Sequence, residues 1–311
     1  MSQLPPTETG GDAPGPMSPR DLARWCSIPT GELVDHPERR VPLRICGDGA
    51  EMGRLMAREL VDEITASAAA GRRFRVVIPC GPSGWYAPFT SLVNAEQVSL
   101  RHVEVFHMDE CLDWEGRPLP RAHPYSFRGF MEASFYGPIE AELNVPEGSR
   151  HWPEPPLLAE ITAALLDSPA DLVYGGWGQD GHIAYNQARR HPFSPISVSQ
   201  LRRSTARVQD NNLDTVVALA QRTFGGAYQF VPPMSVTLGV REILAARRIR
   251  LFSDTGAWKQ TALRVGLFSP VTAEYPITLL QGHPDALLTA TVETATHPIS
   301  LHPEWDLGLE R

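Results

Sequence analysis

Cysteine is scarce in this chain. Four occur in 311 residues, Cys26, Cys46, Cys80 and Cys111, with no C-x-x-C spacing and no secretion-signal pattern at the amino terminus. That usage fits reduced thiols and a cytoplasmic location. Long apolar runs are missing too: none approaches the roughly 18–20 residues of a membrane helix, so a soluble protein with no membrane partner is expected. Positive charge is also in deficit, with 28 Lys and Arg against 36 Asp and Glu and a formal charge of −8. A protein that neutralises many phosphates would have to gather its basic residues on one face. The one modest cluster, Arg202, Arg203 and Arg207, reads as a solvated basic edge, and no nucleic-acid partner is expected. What is present is ordinary: 42% hydrophobic and 21% charged residues, enough for a sizeable core.

Residues 1–17, "MSQLPPTETGGDAPGPM", are proline, glycine and small polar residues without periodicity, and read as a disordered tail. Residues 18–311 contain no second linker of that kind and no internal repeat, which predicts a single domain. Short β-type runs alternate there with amphipathic segments. "VPLRIC" (41–46), "RFRVVIP" (73–79), "SLRHVEVFHM" (99–108), "ADLVYGGWG" (170–178) and "RRIRLFS" (247–253) are strand candidates. Between the first two, Met52, Met56, Leu60 and Ile64 recur every four residues, a helical stripe, with Asp48 and Glu51 as its N-cap and capping-box partner. The alternation predicts a three-layer α/β/α fold with a mainly parallel, Rossmann-like sheet. Sites in such sheets gather at the carboxyl ends of the strands.

Three stretches following strands carry the chemistry-bearing residues. In "IPCGPSGWYAPF" (78–89), a glycine-rich turn can aim backbone N–H groups and a helix N-terminus at an anion, with Ser83 adding a hydroxyl; an ordinary tight turn is equally compatible, and Pro82 lacks one N–H. In "VEVFHMDECL" (103–112), Asp109 and Glu110 end a β run, and period two allows only one of them to face a given pocket. A carboxylate there can move a proton between neighbouring carbons of a sugar, the step of aldose–ketose isomerisation, or simply be solvated. In "GGWGQDGHIAYNQ" (175–187), Asp180 can fix the tautomer of His182 and favour its imidazolium, while glycines allow close approach of a ligand. His107, Asp109, Asp180 and His182 could alternatively converge on a metal, although their spacing matches no ligand motif, and no metal is expected. Cys80 and Cys111 read as small buried residues.

Together these stretches resemble the glucosamine-6-phosphate deaminase/isomerase family, related to the 6-phosphogluconolactonases, over about residues 40–295. "VFHMDE" is similar to the family's strand ending in M-D-E. "HPYSFRGFMEASFYGPI" (123–139) resembles H-P-x-S-[YF]-x-x-F-M-x-x-x-F, and "GGWGQDGHIAYNQ" resembles G-G-x-G-x-D-G-H-I-A-F-N-E. "SVTLGVREILAARRIRLFSDTGAWKQTAL" is similar to the family's T-x-G-[IV] segment leading to G-x-x-K. The resemblance implies an enzyme without metal or other cofactor, acting on a small sugar or sugar phosphate. Asp109 would move the C1–C2 proton, and His182, oriented by Asp180 and with Gln187 beside it, would open the ring. Gly81, Ser83, Gly84, Glu110, Gly181 and Lys259 would bind substrate or its phosphate.

Three departures qualify that expectation. Gln187 stands where the family has glutamate; it can accept a hydrogen bond from the imidazole but brings no charge. Asn212, in "TARVQDNN", aligns with a phosphate-binding arginine, and Pro82 replaces a glycine, so three outcomes stay open: the anion sits differently, Arg202 or Arg203 supplies its contact, or the natural substrate carries none. A lactonase, whose family prefers D-G-H-T-A-S-L-F, and a sugar-phosphate sensor without turnover are the alternatives. A homo-oligomer is left open.

Overall fold

The structure, a computed structural model, describes residues 17–188 and 195–309. Its strands are β1 Leu43–Cys46, β2 Phe74–Ile78, β3 Val103–His107, β4 Asp109–Leu112, β5 Arg150–His151, β6 Leu172–Gly176, β7 Arg207–Asp210, β8 Met234–Thr237, β9 Ile249–Ser253 and β10 Ala286–Thr291. The helices are α1 Pro19–Ser27, α2 Gly49–Ala69, α3 Tyr86–Ala95, α4 Phe127–Met131, α5 Leu158–Asp167, α6 Val198–Arg202, α7 Leu213–Phe224, α8 Val240–Ala245, α9 Gln260–Phe268, α10 Val292–Ala295 and α11 Pro298–Leu301.

Seven strands form one sheet in the order β1-β10-β9-β6-β2-β3-β5, with every pairing parallel. The chain runs outward from β2 through β3 to β5, then returns to the other side of β2 as β6 and continues outward through β9 and β10. This reversal opens a crevice at the carboxyl ends of β2 and β6, the place where such sheets hold ligands. The mainly parallel sheet anticipated from the alternation is therefore present. A second sheet was not anticipated: β4-β8-β7 is antiparallel. Met108 is the transfer point, donating its N–H to Ile78 of β2 while its carbonyl accepts from Leu238 beside β8.

Alternation along the central strands divides the core into two layers. Val77, Val173 and Phe106 point to one side, where Trp25 of α1, Ile161 and Leu165 of α5, Ile243 of α8 and Leu263 and Leu267 of α9 cover them. Their neighbours Val76, Ile78, Leu172, Tyr174 and Val105 point to the other side, onto α2 and α3. The expected α2 stripe is this second interface: Met52, Met56, Leu60 and Ile64 are each 1% exposed. Asp48 caps the helix by accepting the Glu51 N–H at 2.7 Å, and the Glu51 carboxylate accepts from Gly47, one residue earlier than in a capping box. Gly53 allows α2 to touch the glycine-rich turn, because a Cβ there would stand 2.4 Å from the Gly84 carbonyl oxygen.

The tail expected over 1–17 lies outside the described residues except for Met17, which packs against the first core layer. Among the described residues no helix is long and apolar enough to cross a membrane. Replacing Leu60 by Ala should cost about 3 kcal/mol of stability through lost burial and the cavity left between α2 and the sheet. A urea midpoint shifted down with an unchanged slope is the expected result.

Candidate active site

A cavity of about 470 Å3 lies over the crevice, a size usual for small-molecule sites. Its floor comes from the strand ends: Cys80, Gly81, Pro82 and Ser83 after β2, Asp109 after β3, Gly178 and His182 after β6, and Asp254, Trp258 and Lys259 after β9. Helix α7, with Thr215 and Arg222, and the segment around α4, with Tyr125, Phe127 and Phe130, form its walls. Asp109 and His182 thus face one space, because β3 and β6 are both neighbours of β2.

His182 owes its position to the turn that carries it. The Gly178 N–H donates to the His182 carbonyl at 2.9 Å, and Trp177 bridges to Ile183, closing a small loop. The imidazole lies directly over Gly178, where a Cβ would fall between 2.1 and 2.6 Å from ring atoms. Only glycine leaves room for that ring. Behind it, Asp180 is 2% exposed and its Oδ1 stands 2.6 Å from His182 Nδ1. The Asp180 Oδ2 accepts from Asn212 Nδ2 at 2.8 Å. Burial alone would raise the Asp180 carboxyl, but the His182 ring and the hydrogen bonds from His182 and Asn212 outweigh it and hold the group below the ordinary carboxylate range. An ionised aspartate on Nδ1 leaves Nε2 as the imidazole atom for chemistry.

Asp109 has the opposite environment. Burial, reinforced by Glu110, pushes its carboxyl up to about 8. Such a group can both take and return a proton near neutrality. Glu110, expected to contact substrate, does not line the cavity. As β4 begins at Asp109, successive side chains diverge, and Glu110 turns to accept N–H groups from Phe127 at 2.8 Å, Arg128 at 2.7 Å and Cys111 at 2.9 Å. It anchors the start of α4.

Other expectations are corrected in the same way. Gly84 is outside the cavity because its backbone faces α2. Gly181 adopts φ +73° and packs against Tyr275 and Ile277, its carbonyl accepting from Ile277 at 2.7 Å. Gln187 does not line the cavity, and among the described residues it does not bond to the imidazole; its Oε1 accepts the Asn212 N–H at 2.7 Å and its Nε2 donates to Thr215 Oγ1 at 2.7 Å. Asn212 is the N-cap of α7, accepting from Thr215, and holds Asp180; it is no stand-in for an anion-binding arginine. Arg222, ten residues on in the last turn of α7, is the guanidinium that lines the cavity. Sequence reasoning missed it, although it is the only cation between Arg207 and Arg241.

Neither Arg202 nor Arg203 lines the cavity, and Arg207 is no solvated edge: it is part-buried, donating to Asn186 Oδ1 at 2.8 Å. His107 is buried, stacked on Trp152 at 3.6 Å and bonded to Tyr136, away from Asp180 and His182. Cys111 is buried against Tyr185, whereas Cys80 lines the cavity, with burial raising its thiol. Lys259 lines it too; burial, then Arg222, lower its ammonium to about 8 while Asp254 opposes them. Replacing Gly178 by Ala should expel the imidazole from its seat and break the bond to Asp180. Loss of the low-field Nδ1–H proton resonance, with a retained far-ultraviolet spectrum, would show it.

No protein-family model matches the chain. The glucosamine-6-phosphate deaminase of Aeromonas salmonicida (strain A449) is 31% identical over 260 residues, spanning 80% of this chain and 89% of that protein. The glucosamine-6-phosphate deaminase of Caenorhabditis elegans is 30% identical over 241 residues, 75% of this chain and 83% of its own length. Among solved structures, a monomeric glucosamine-6-phosphate deaminase superposes with a TM-score of 0.68 at 20% identity, covering 82% of this chain and 98% of its own. A 6-phosphogluconolactonase from Trypanosoma cruzi does so at 0.58 and 18% identity, covering 82% and 96%, so the two share this fold. With its strand ends, its Asp-Gly-His turn and these relatives taken together, the chain is an enzyme that belongs to the glucosamine-6-phosphate deaminase family.

Proposed function

We propose that the enzyme deaminates and isomerises a phosphorylated 2-amino-hexose, of which glucosamine 6-phosphate is the first candidate. The observation that carries this reading is the shared cavity of Asp109 and His182, one carboxyl and one imidazole on either side of β2. His182, with Asp180 on its Nδ1, protonates the ring oxygen and opens the pyranose. Asp109 then removes the proton from C2 and returns it to C1, leaving an imine at C2. Water adds there and ammonia departs, so a ketose phosphate remains. Burial of Asp109 matches its proton affinity to both halves of this transfer.

The phosphate falls, on this reading, to a different set of the residues that line the cavity. The turn Gly81–Ser83 precedes α3, whose N-terminus favours an anion, and Arg222 and Lys259 add positive charge. Pro82 takes one N–H out of the cradle, which shifts weight onto those two side chains. Gln187 leaves Asp180 as the sole acid next to the imidazole among the described residues, so the charge that assists ring opening comes from one carboxylate.

Incubation with glucosamine 6-phosphate should release ammonia and ketose phosphate in equal amounts, with solvent deuterium entering the product at C1. Hydrolysis of 6-phosphogluconolactone without ammonia from any amino sugar would establish the lactonase alternative instead, and tight binding without product would establish a sensor. Asp109→Asn should lower kcat by about a thousandfold. Because the carboxylate is the active form and its folded-state value is raised to about 8, kcat/KM should rise with pH up to that region. The same shift makes the folded protein hold a proton that the unfolded chain releases, so wild-type stability should fall as pH rises from about 4 to 8 relative to Asp109→Asn. Arg222→Ala should raise KM for phosphorylated substrate by about 100-fold, the loss of a charge-assisted contact.

A further inference from the structure

Lys259 is the sole lysine among the 28 Lys and Arg residues of the sequence. Every other cationic side chain is a guanidinium, which stays charged under all ordinary conditions, whereas an ammonium can give up its proton and become a nucleophile. That one amine sits on the cavity wall with Arg222 as a charged neighbour, and among the described residues no side-chain hydrogen bond or ion pair holds it. Asp254 is the carboxylate near it on its own segment; Arg222, facing it from α7, opposes its charge. Trp258 and Trp177 line the same space, giving it apolar walls.

We infer that Lys259 is a covalent capture site for short phosphorylated aldehydes, whose phosphate is held by Arg222 and the Gly81–Ser83 turn while the carbonyl reaches the lysine amine. The placement of the phosphate rests on the sugar-phosphate reading of the cavity. The neutral Nζ adds its lone pair to the aldehyde carbon, and its proton passes to the carbonyl oxygen to give a carbinolamine. A proton from solvent then carries the hydroxyl off as water, leaving a C=N bond. No electrons are exchanged, and addition of water reverses the step. An ammonium lowered to about 8 supplies a useful neutral fraction at physiological pH. A six-carbon amino-sugar phosphate meets Lys259 as a counter-charge for its phosphate; a short phosphorylated aldehyde meets it as a nucleophile and blocks the site.

The probe is pyridoxal 5′-phosphate, a phosphorylated aldehyde, compared with pyridoxal, which lacks the phosphate. The full-length protein is treated with each in the presence of cyanoborohydride, and reduced adducts are located by peptide mass. The expected result is one adduct on the Lys259 peptide, formed at concentrations at least tenfold lower for pyridoxal 5′-phosphate than for pyridoxal, and suppressed by inorganic phosphate. Arg222→Gln should remove that preference, and Lys259→Arg the adduct. The amino-terminal amine serves as an internal reference, since its labelling should respond to neither phosphate nor Arg222→Gln. Absence of an adduct on Lys259 in the folded protein at pH 8.5, or equal labelling by the two aldehydes, overturns the inference. If amino-sugar phosphates are turned over while Lys259 stays unlabelled, the inference falls alone. If Lys259 is captured with phosphate selectivity while no amino sugar is deaminated, the capture site stands and the proposed reaction falls.

Discussion

The Asp180 carboxylate is the constraint on which the rest of the site depends. It is almost fully buried, yet ionised, because His182 and Asn212 each satisfy one of its oxygens. A buried carboxylate without such partners would take up a proton, and a protonated Asp180 could no longer hold the imidazole in one tautomer. The requirement propagates outward. Holding Asn212 in place needs the N-terminus of α7, where its own Oδ1 accepts from Thr215, and Gln187 fastens both Asn212 and Thr215 to the imidazole turn. Gln179 adds a further bond to the Asp214 carbonyl. The helix that brings Arg222 to the cavity is therefore fixed at its far end by the group that orients His182.

Backbone geometry supports the same turn. Ala184 lies at φ +54°, a left-handed conformation that costs a residue with a Cβ about 1–2 kcal/mol. It is over-determined by its neighbours: Tyr185 N–H donates to Thr237, and the Asn186 amide bonds to the carbonyls of Ile183 and Leu238. Thr237 ends β8 and Leu238 follows it, so the small antiparallel sheet acts as the clamp on the imidazole turn, while Met108 links it to the parallel sheet.

Much of the parallel architecture was legible because buried strands and amphipathic helices carry strong periodicity: α2 declared its stripe through Met52, Met56, Leu60 and Ile64, and β2, β3, β6 and β9 lie within the expected runs. The antiparallel strands were not, since "DECL" and "RVQD" are four residues long and their partners are distant in sequence. Asp109, His182, Gly81, Ser83 and Lys259 do line the cavity, and each lies in a segment that leaves the carboxyl end of a strand, which is what made them legible. Glu110 and Gln187 were misplaced because residue type reveals nothing of which way a side chain turns once the chain bends. Arg222 escaped because it reaches the cavity from a helix laid over the sheet. A resemblance read by position cannot see that Asn212 turns to cap that helix and hold Asp180 while a guanidinium ten residues on lines the cavity.

The shared burial of Asp109 and Lys259 has a thermodynamic consequence. Burial drives both toward neutrality, the acid by retaining its proton and the amine by tending to lose one, so the empty cavity near pH 8 holds less formal charge than its side chains suggest. On the proposed reading, a sugar-phosphate dianion arriving beside Lys259 would reverse that balance for the amine and draw a proton from solvent. The heat of association would then vary with the ionisation enthalpy of the buffer, and the ligand itself would complete the electrostatic field that holds it.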